Sequence, residues 1–210
     1  MKALIFDMDG VLLHSSRAHE TAFRKVLRTI GVKRFDYKRV AGMKTRDSFE
    51  KILRTERIPY SKRELESWAR AKQQAAYRLL LRRPPIAKGC RHLLETLSRR
   101  YRLALVSSSR RKNVNLFLAA SRTRPFFSVI MGSEDLTHSK PSPLLYKTVL
   151  KRLRMKPRDI VVIEDSLQGV RSAKGAQLRV IGMRGDTSGP ELKRAGAFRV
   201  IRDIRELRSL

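Results

Sequence analysis

Asp7 and Asp9 stand two residues apart, directly behind the apolar run at residues 3–6, and a second acidic pair, Glu164 and Asp165, follows another apolar run at residues 160–163. Carboxylates crowded behind a strand repel, and without a cation one of them tends to take up a proton. A divalent metal resolves the crowding. An oxygen-rich set suits Mg2+, which binds through one or two carboxylates together with waters and phosphate oxygens. Each pair also has an ordinary explanation, an Asp-Gly turn for Asp9 and Gly10 and a helix N-terminus for Glu164 and Asp165. An EF-hand calcium loop is disfavoured, because its fifth position falls on Val11 and Gly10 comes too early. Two further segments have chemistry suited to phosphate. Ser107, Ser108 and Ser109 follow the run at 103–106, where hydroxyls and backbone N–H groups at a helix start can cradle an anion. Lys140 precedes Pro143, which is placed to open a helix, so its charge can offset that of a phosphate.

These groups need elements to hold them. Short β-branched runs at 3–6, 103–106, 129–131, 160–163 and 180–183 alternate with helical patterns, which is the signature of an α/β fold with a parallel sheet. Helical spacing of three or four is carried by Leu93, Leu94 and Leu97, by Val114, Phe117 and Leu118, by Tyr146, Val149 and Leu153, and by Val170 and Ala173. In open parallel sheets ligands bind at the carboxyl ends of strands, which is where the acids, serines and lysine fall. About 95 residues separate the first two strands, far more than the dozen or so a crossover needs. From 17 to 83 the pattern reads as helical throughout, with Ala22, Phe23, Val26, Leu27 and Ile30 on one stripe and Phe49, Ile52 and Leu53 on another. Gly31 and Gly42 punctuate it, Pro59 breaks it, and Pro84-Pro85 returns the chain to the sheet. The expectation is a Rossmann-like parallel-sheet core of residues 1–15 and 84–210 with an inserted small α-helical subdomain at 16–83.

Composition narrows the function classes. The chain has 210 residues, 41% of them apolar, enough for one well-buried domain with a modest insertion. Its longest apolar runs fall far short of the roughly 20 residues that cross a bilayer, and Asp7 and Asp9 cut the opening run too early for a secretory leader. The cytoplasm is the expected compartment. Cys90 is the only cysteine, so no intrachain disulfide and no multi-cysteine zinc site can form, and a buried helical position is expected for it. The net charge is +29, spread over nearly every segment, and the insert carries the denser share. Such a surface attracts anions. No helix-turn-helix, zinc finger or aromatic RNP pattern accompanies the charge, so a dedicated nucleic-acid partner is disfavoured against a small phosphorylated metabolite.

The ordered set DMDGV at 7–11, VSSS at 106–109, SKPSP at 139–143 and IEDSLQG at 163–169 resembles the four motifs of the haloacid dehalogenase superfamily. Closest in pattern are the β-phosphoglucomutase-like and phosphoglycolate phosphatase-like members with a helical cap. The resemblance spans essentially the whole chain and implies a Mg2+-dependent phosphatase acting through an aspartyl phosphate on a sugar phosphate or phosphoglycolate. Asp7 would be the nucleophile and Asp9 the acid and base. Asp7, the Asp9 carbonyl and Asp165 would hold Mg2+, with Glu164 acting directly or through water, and Ser107, Ser108 and Lys140 would bind the phosphoryl group. A sugar-phosphate mutase using the same intermediate is the first alternative; a non-catalytic, basic nucleic-acid-binding protein on the same fold is the second. In the cap the resemblance makes His19 a hinge residue and residues 42–48 the specificity loop, with Lys44, Thr45 and Arg46 toward substrate and Lys72 also facing the site. Thr45 stands where mutases of this group carry an arginine for the distal phosphate. His14 replaces the acid usual after DGVLL, and Leu144 the acid often found after the motif-three prolines.

Overall fold

The computed structural model of the protein describes residues 1–135 and 137–210. Six parallel strands, β1 (Ala3–Asp7), β2 (Arg102–Val106), β3 (Phe127–Met131), β4 (Ile160–Glu164), β5 (Arg179–Met183) and β6 (Arg199–Ile201), form one sheet in the order β3-β2-β1-β4-β5-β6. The chain leaves β1 toward β2 on one side and returns to β4 on the other, so the strand order reverses at β1 and opens a crevice at the carboxyl ends of the central strands. Register places Asp7 beside Val106 and Phe6 beside Ile163, which brings the ends of β1, β2 and β4 level.

The period-2 alternation of each strand divides its side chains between two cores. Leu4, Phe6, Leu103, Leu105, Val161 and Ile163 pack with helices α4 (Cys90–Ser98) and α5 (Arg111–Ser121) on one face. Ala3, Ile5, Ala104, Val106, Ile160 and Val162 pack on the other with α6 (Leu144–Leu153), α7 (Leu167–Gly175) and α8 (Gly189–Ala195). Burial on both faces is what allows these strands to be almost wholly apolar. The expected strands are all present, extended by one or two residues. β6 escaped sequence reading because three residues, Arg199, Val200 and Ile201, are too few to carry periodicity.

The segment between β1 and β2 contains α1 (Ser16–Thr29), α2 (Thr45–Thr55) and α3 (Lys62–Arg82), gathered around a third apolar cluster that includes Phe23, Leu27, Val40, Phe49, Leu53 and Leu65. It is not helical throughout as its pattern suggests. Gly31, at φ +85°, follows the end of α1, and residues 30–44 form a loop with one 3-10 turn at Tyr37–Arg39. Phe35 and Tyr37 stand two apart, which no helix face accounts for, and their rings pack on Phe23 from that loop. α3 begins with a reciprocal cap, Ser61 on the Glu64 N–H and the Glu64 carboxylate on the Ser61 N–H, an S-x-x-E signal visible in sequence. Two short segments join the insert to the sheet. They hold each other through the Ala87 N–H to the Leu12 carbonyl at 2.9 Å and the His14 N–H to the Pro85 carbonyl at 2.8 Å.

Candidate active site

Asp7 ends β1, Glu164 ends β4, and Asp165 follows it, so the reversal of strand order puts three carboxylates into one crevice. Each offers an oxygen within 4.8 Å of the others. Gly10 makes this approach possible: its φ is +82°, and a Cβ there would lie 1.8 Å from Asp165 Oδ2. Lys140, wholly buried, donates from Nζ to Asp7 Oδ1 at 2.6 Å and to Glu164 Oε1. Burial opposes its charge, but Asp7 and Glu164 raise its pKa above the ordinary lysine value. Burial, with Glu164 and Asp9 nearby, pushes Asp7 well above the usual carboxylate range in spite of Lys140, and burial with Glu164 and Asp7 does the same to Asp165. A buried set of carboxylate oxygens that resist ionising side by side is a fitting cage for a hard divalent cation. Mg2+ fits it, with Asp7, Asp165 and Glu164 as the donors. The carboxylate of Asp9 stands outside this group.

Glu164 is fixed on every side. Besides Lys140 it accepts from Tyr146 Oη at 2.7 Å and from Ser166 Oγ at 3.2 Å. Gly169 lies so close that a Cβ would meet Glu164 Cδ at 2.0 Å. Tyr146 reads in sequence as a core residue of α6, and nothing in its helical spacing signals the hydroxyl's role. It is in fact the largest fully buried side chain, with the glutamate on its polar end.

Asp9 has opposite surroundings. Oδ1 accepts from Ser15 Oγ at 2.5 Å and lies 3.2 Å from His19 Nε2, while Oδ2 accepts from Ser107 Oγ at 3.0 Å and Ser109 Oγ at 2.7 Å. Burial works to raise its pKa, but His19, Ser15 and Ser109 outweigh it and hold the carboxyl far below the usual range. Behind His19, the Nζ of Lys72 sits 2.9 Å from Nδ1 and 4.3 Å from the centre of the Phe23 ring. Burial lowers the Lys72 pKa to about 7, and burial together with Lys72 lowers that of His19. A neutral His19 that accepts from Lys72 and donates to Asp9 satisfies all three groups. Ser15 and Ser109 complete this network; Ser109 belongs to the serine run marked for phosphate, whereas nothing in the sequence marks Ser15. Both are serines beside helix starts, indistinguishable in type from ordinary caps.

The crevice is roofed by the insert and encloses about 40 Å³. Asp7, Asp9, His19, Phe23, Tyr37, Met43, Thr45, Lys72, Ser108 and Ser109 are among its lining residues. Thr45, His19 and Lys72 line the cavity. Lys44 and Arg46 are not among its lining residues: Arg46 is exposed, and Lys44 is extended at the N-cap before α2, its N–H donating to Ser139 Oγ at 2.8 Å. The helical turn separates the three neighbours, so only Thr45 of the trio faces inward. Ser108 Oγ donates to the Gly42 carbonyl at 2.7 Å, and Ser107 is spent on Asp9, so neither hydroxyl is directed at an anion in this conformation. Phe23 reads in sequence only as part of an apolar stripe and nothing marks Tyr37, whereas Met43 lies in the 42–48 loop that the resemblance gives to specificity. Cys90 opens α4, buried, and burial pushes its thiol up to about 12, which removes it as a nucleophile.

Residues 4–183 match the model of the haloacid dehalogenase-like hydrolases. A Thermotoga maritima protein named a phosphorylated carbohydrates phosphatase is 30% identical over 207 residues, 96% of this chain and 94% of its own length. The β-phosphoglucomutase of Bacillus subtilis is 28% identical over 191 residues, 87% of this chain and 83% of its own. The crystal structure of CbbY from Rhodobacter sphaeroides in complex with phosphate superposes with a TM-score of 0.82 at 29% identity, covering 99% of this chain and 96% of that one. With the sheet order, the strand-end carboxylates and the motif order all in agreement, the chain belongs to the haloacid dehalogenase-like hydrolase family.

Proposed function

We propose that the protein is a Mg2+-dependent phosphatase that hydrolyses a small phosphorylated metabolite of the sugar phosphate or phosphoglycolate class through an aspartyl phosphate. The observation that carries this reading is the position of Lys140, shared between Asp7 and Glu164 beside Asp165, with the Asp9 carboxylate facing the same cavity. Residues 1–15 and 84–210 serve as the catalytic core and 16–83 as its cap, in a cytoplasmic setting. The family and the name of the Thermotoga relative support a phosphatase of phosphorylated carbohydrates.

Asp7 attacks phosphorus; its Oδ–P bond forms as the bond from phosphorus to the substrate oxygen breaks, and Asp9 delivers a proton to that oxygen. Asp9 then takes a proton from water, whose oxygen attacks the same phosphorus and frees Asp7. Held far below the usual range, Asp9 is ionised for this second step and open to that proton, but it becomes a strong enough base only as the hydrogen bonds from Ser15, Ser109 and His19 loosen. For the first it must be protonated, and a phosphate dianion arriving beside it raises its pKa in the needed direction. Ser107 and Ser109 must exchange Asp9 for phosphoryl oxygens at the same moment. Asp7, Asp165 and the Asp9 backbone carbonyl, with Glu164 directly or through water, would hold Mg2+, which when bound would supply positive charge to the transferring group. Lys140 adds its own charge, and Tyr146 and Gly169 keep Glu164 in place to orient it.

A panel of phosphorylated metabolites with Mg2+, including β-glucose 1-phosphate, tests the proposal when free phosphate and glucose 6-phosphate are read separately. Phosphate release supports it. Glucose 6-phosphate formed without phosphate release makes the protein a mutase, and salt-dependent oligonucleotide binding with no turnover makes it a basic scaffold.

A further inference from the structure

The closed cavity carries more information about the part of the substrate that is not transferred. Beyond the core acids and serines, its wall includes Phe23, Tyr37, Val40, Met43 and Thr45 with His19, and among the described residues that line it Lys72 is the only lysine or arginine. That ammonium is already engaged, 2.9 Å from His19 Nδ1 and over the face of Phe23. A second phosphate or a carboxylate in this space would be desolvated without a cation to receive it, which is costly. The wall instead offers two hydroxyls, on Thr45 and Tyr37, and aromatic faces against which the C–H surface of a polyol can pack. Tyr37 is singular among these residues. Its hydroxyl shares no hydrogen bond with any described residue, although its ring is fixed against Phe23 and Phe35. Burial and the carboxylates of Asp9, Asp165 and Asp186 raise its pKa well above the ordinary tyrosine value, so it stays a proton donor. The same side chain also lines an outer cavity of about 250 Å³ bounded by Glu20, Arg24, Lys38 and Asp186. Tyr37 is therefore the partition that limits how far a substrate body can extend.

We infer, resting on the phosphatase reading above, that the substrate is the monophosphate of a small neutral polyol or sugar, and that Tyr37 is a specificity-determining residue that donates a hydrogen bond to a hydroxyl of that body. Bisphosphates and carboxylate-bearing phosphates such as phosphoglycolate are then selected against.

Matched pairs that differ in distal charge test this: glucose 6-phosphate against glucose 1,6-bisphosphate, and glycerol phosphate against phosphoglycolate, each assayed for kcat/KM with Mg2+. The neutral member of each pair should exceed its charged partner by at least about tenfold. Tyr37→Phe should lower the ratio of kcat/KM for glycerol phosphate to that for p-nitrophenyl phosphate about tenfold, the loss of one hydrogen bond. Charged partners used equally well or better overturn the substrate class, and an unchanged ratio in Tyr37→Phe overturns the role of Tyr37. Calorimetric binding of the same four compounds to Asp7→Asn protein separates the two levels. Neutral-over-charged ranking there, without turnover by the wild type, sinks the phosphatase reading and leaves the cavity's selectivity standing; absence of that ranking sinks the selectivity itself.

Discussion

Two aspartates separated by one residue have opposite proton affinities because one lies among buried carboxylates and the other among hydroxyls and an imidazole. Asp7 is pushed up by burial and by Glu164; Asp9 is held down by His19, Ser15 and Ser109. The roles proposed for them, Asp7 as nucleophile and Asp9 as acid and base, differ as well, and substitution should separate them. Asp7→Asn should leave less than about a hundredth of wild-type turnover, since an amide cannot form the phosphoenzyme; a tenth remaining would reassign the nucleophile. Asp9→Asn should lower the chemical rate by about 10²–10⁴ while substrate still binds. Lys72 poses a different test. Its folded-state pKa of about 7 lies below the ordinary 10.5, so between these values the unfolded chain binds more protons than the folded one. Stability must rise with pH across that window. Lys72→Met removes both the buried amine and its pH dependence. The variant should be more stable than wild type at pH 7 by about 1 kcal/mol or more, with a flatter stability profile from pH 7 to 10 in urea denaturation, and less active because His19 loses the partner that fixes its tautomer. Equal slopes for the two proteins would show that Lys72 keeps its ordinary proton affinity.

At the scale of elements, the ends of β1, β2 and β4 determine where chemistry is possible, and glycines determine how closely the groups converge. Gly10 and Gly169 leave no room for a methyl group beside Asp165 and Glu164. Gly10→Ala forces an L residue to positive φ, which costs about 1–2 kcal/mol, and displaces the Asp165 carboxylate. The Mg2+ concentration giving half-maximal activity should rise at least about tenfold, with the sheet intact by circular dichroism; unchanged Mg2+ dependence would remove Asp165 from the metal set. Much of this level was legible in sequence. β-branched runs bounded by acids and serines announced the strands, and the order of Asp7, Ser107, Lys140 and Glu164 announced a shared edge, because strand ends in a parallel sheet face one way. The insert was legible only as helical spacing. Residues 30–44 resisted reading because Phe35, Tyr37 and Val40 are apolar for packing against Phe23 and α2, not for lining a helix. The direction of Thr45 inward and Arg46 outward depends on where α2 starts, and a shift of one residue turns a helix face by about 100°. Tyr146 and Tyr37 carry functional hydroxyls on rings whose sequence pattern reports only burial.

The whole molecule combines a basic field with a closed lid. A net charge of +29 draws phosphorylated anions toward the crevice, so kcat/KM should fall as ionic strength rises, whereas kcat at saturation should hold. Insensitivity of both to salt would show the charge to be unrelated to capture. The lid must also move, because about 40 Å³ admits a few waters and a metabolite site needs several hundred. Direct bonds between the insert and the core include Ser108 Oγ to the Gly42 carbonyl and the Lys44 N–H to Ser139 Oγ, both on the loop that leads into α2, and His19 Nε2 to Asp9 Oδ1. Each loop bond contributes about 0.5–1.5 kcal/mol, small enough for opening to be frequent. Ser139 makes the cleaner probe, since Ser108 lies next to the phosphoryl position. Ser139→Ala removes the acceptor of the Lys44 amide without touching the acids. Exchange of that amide with solvent deuterium should then quicken up to about tenfold, and amides of the sheet should not change. Substrate KM should rise by a similar factor, because closure is drawn from a smaller closed population. If the Lys44 amide exchanges at its wild-type rate in the variant, the bond to Ser139 is not what holds the lid, and closure falls to the Ser108 contact with Gly42 and the His19 contact with Asp9.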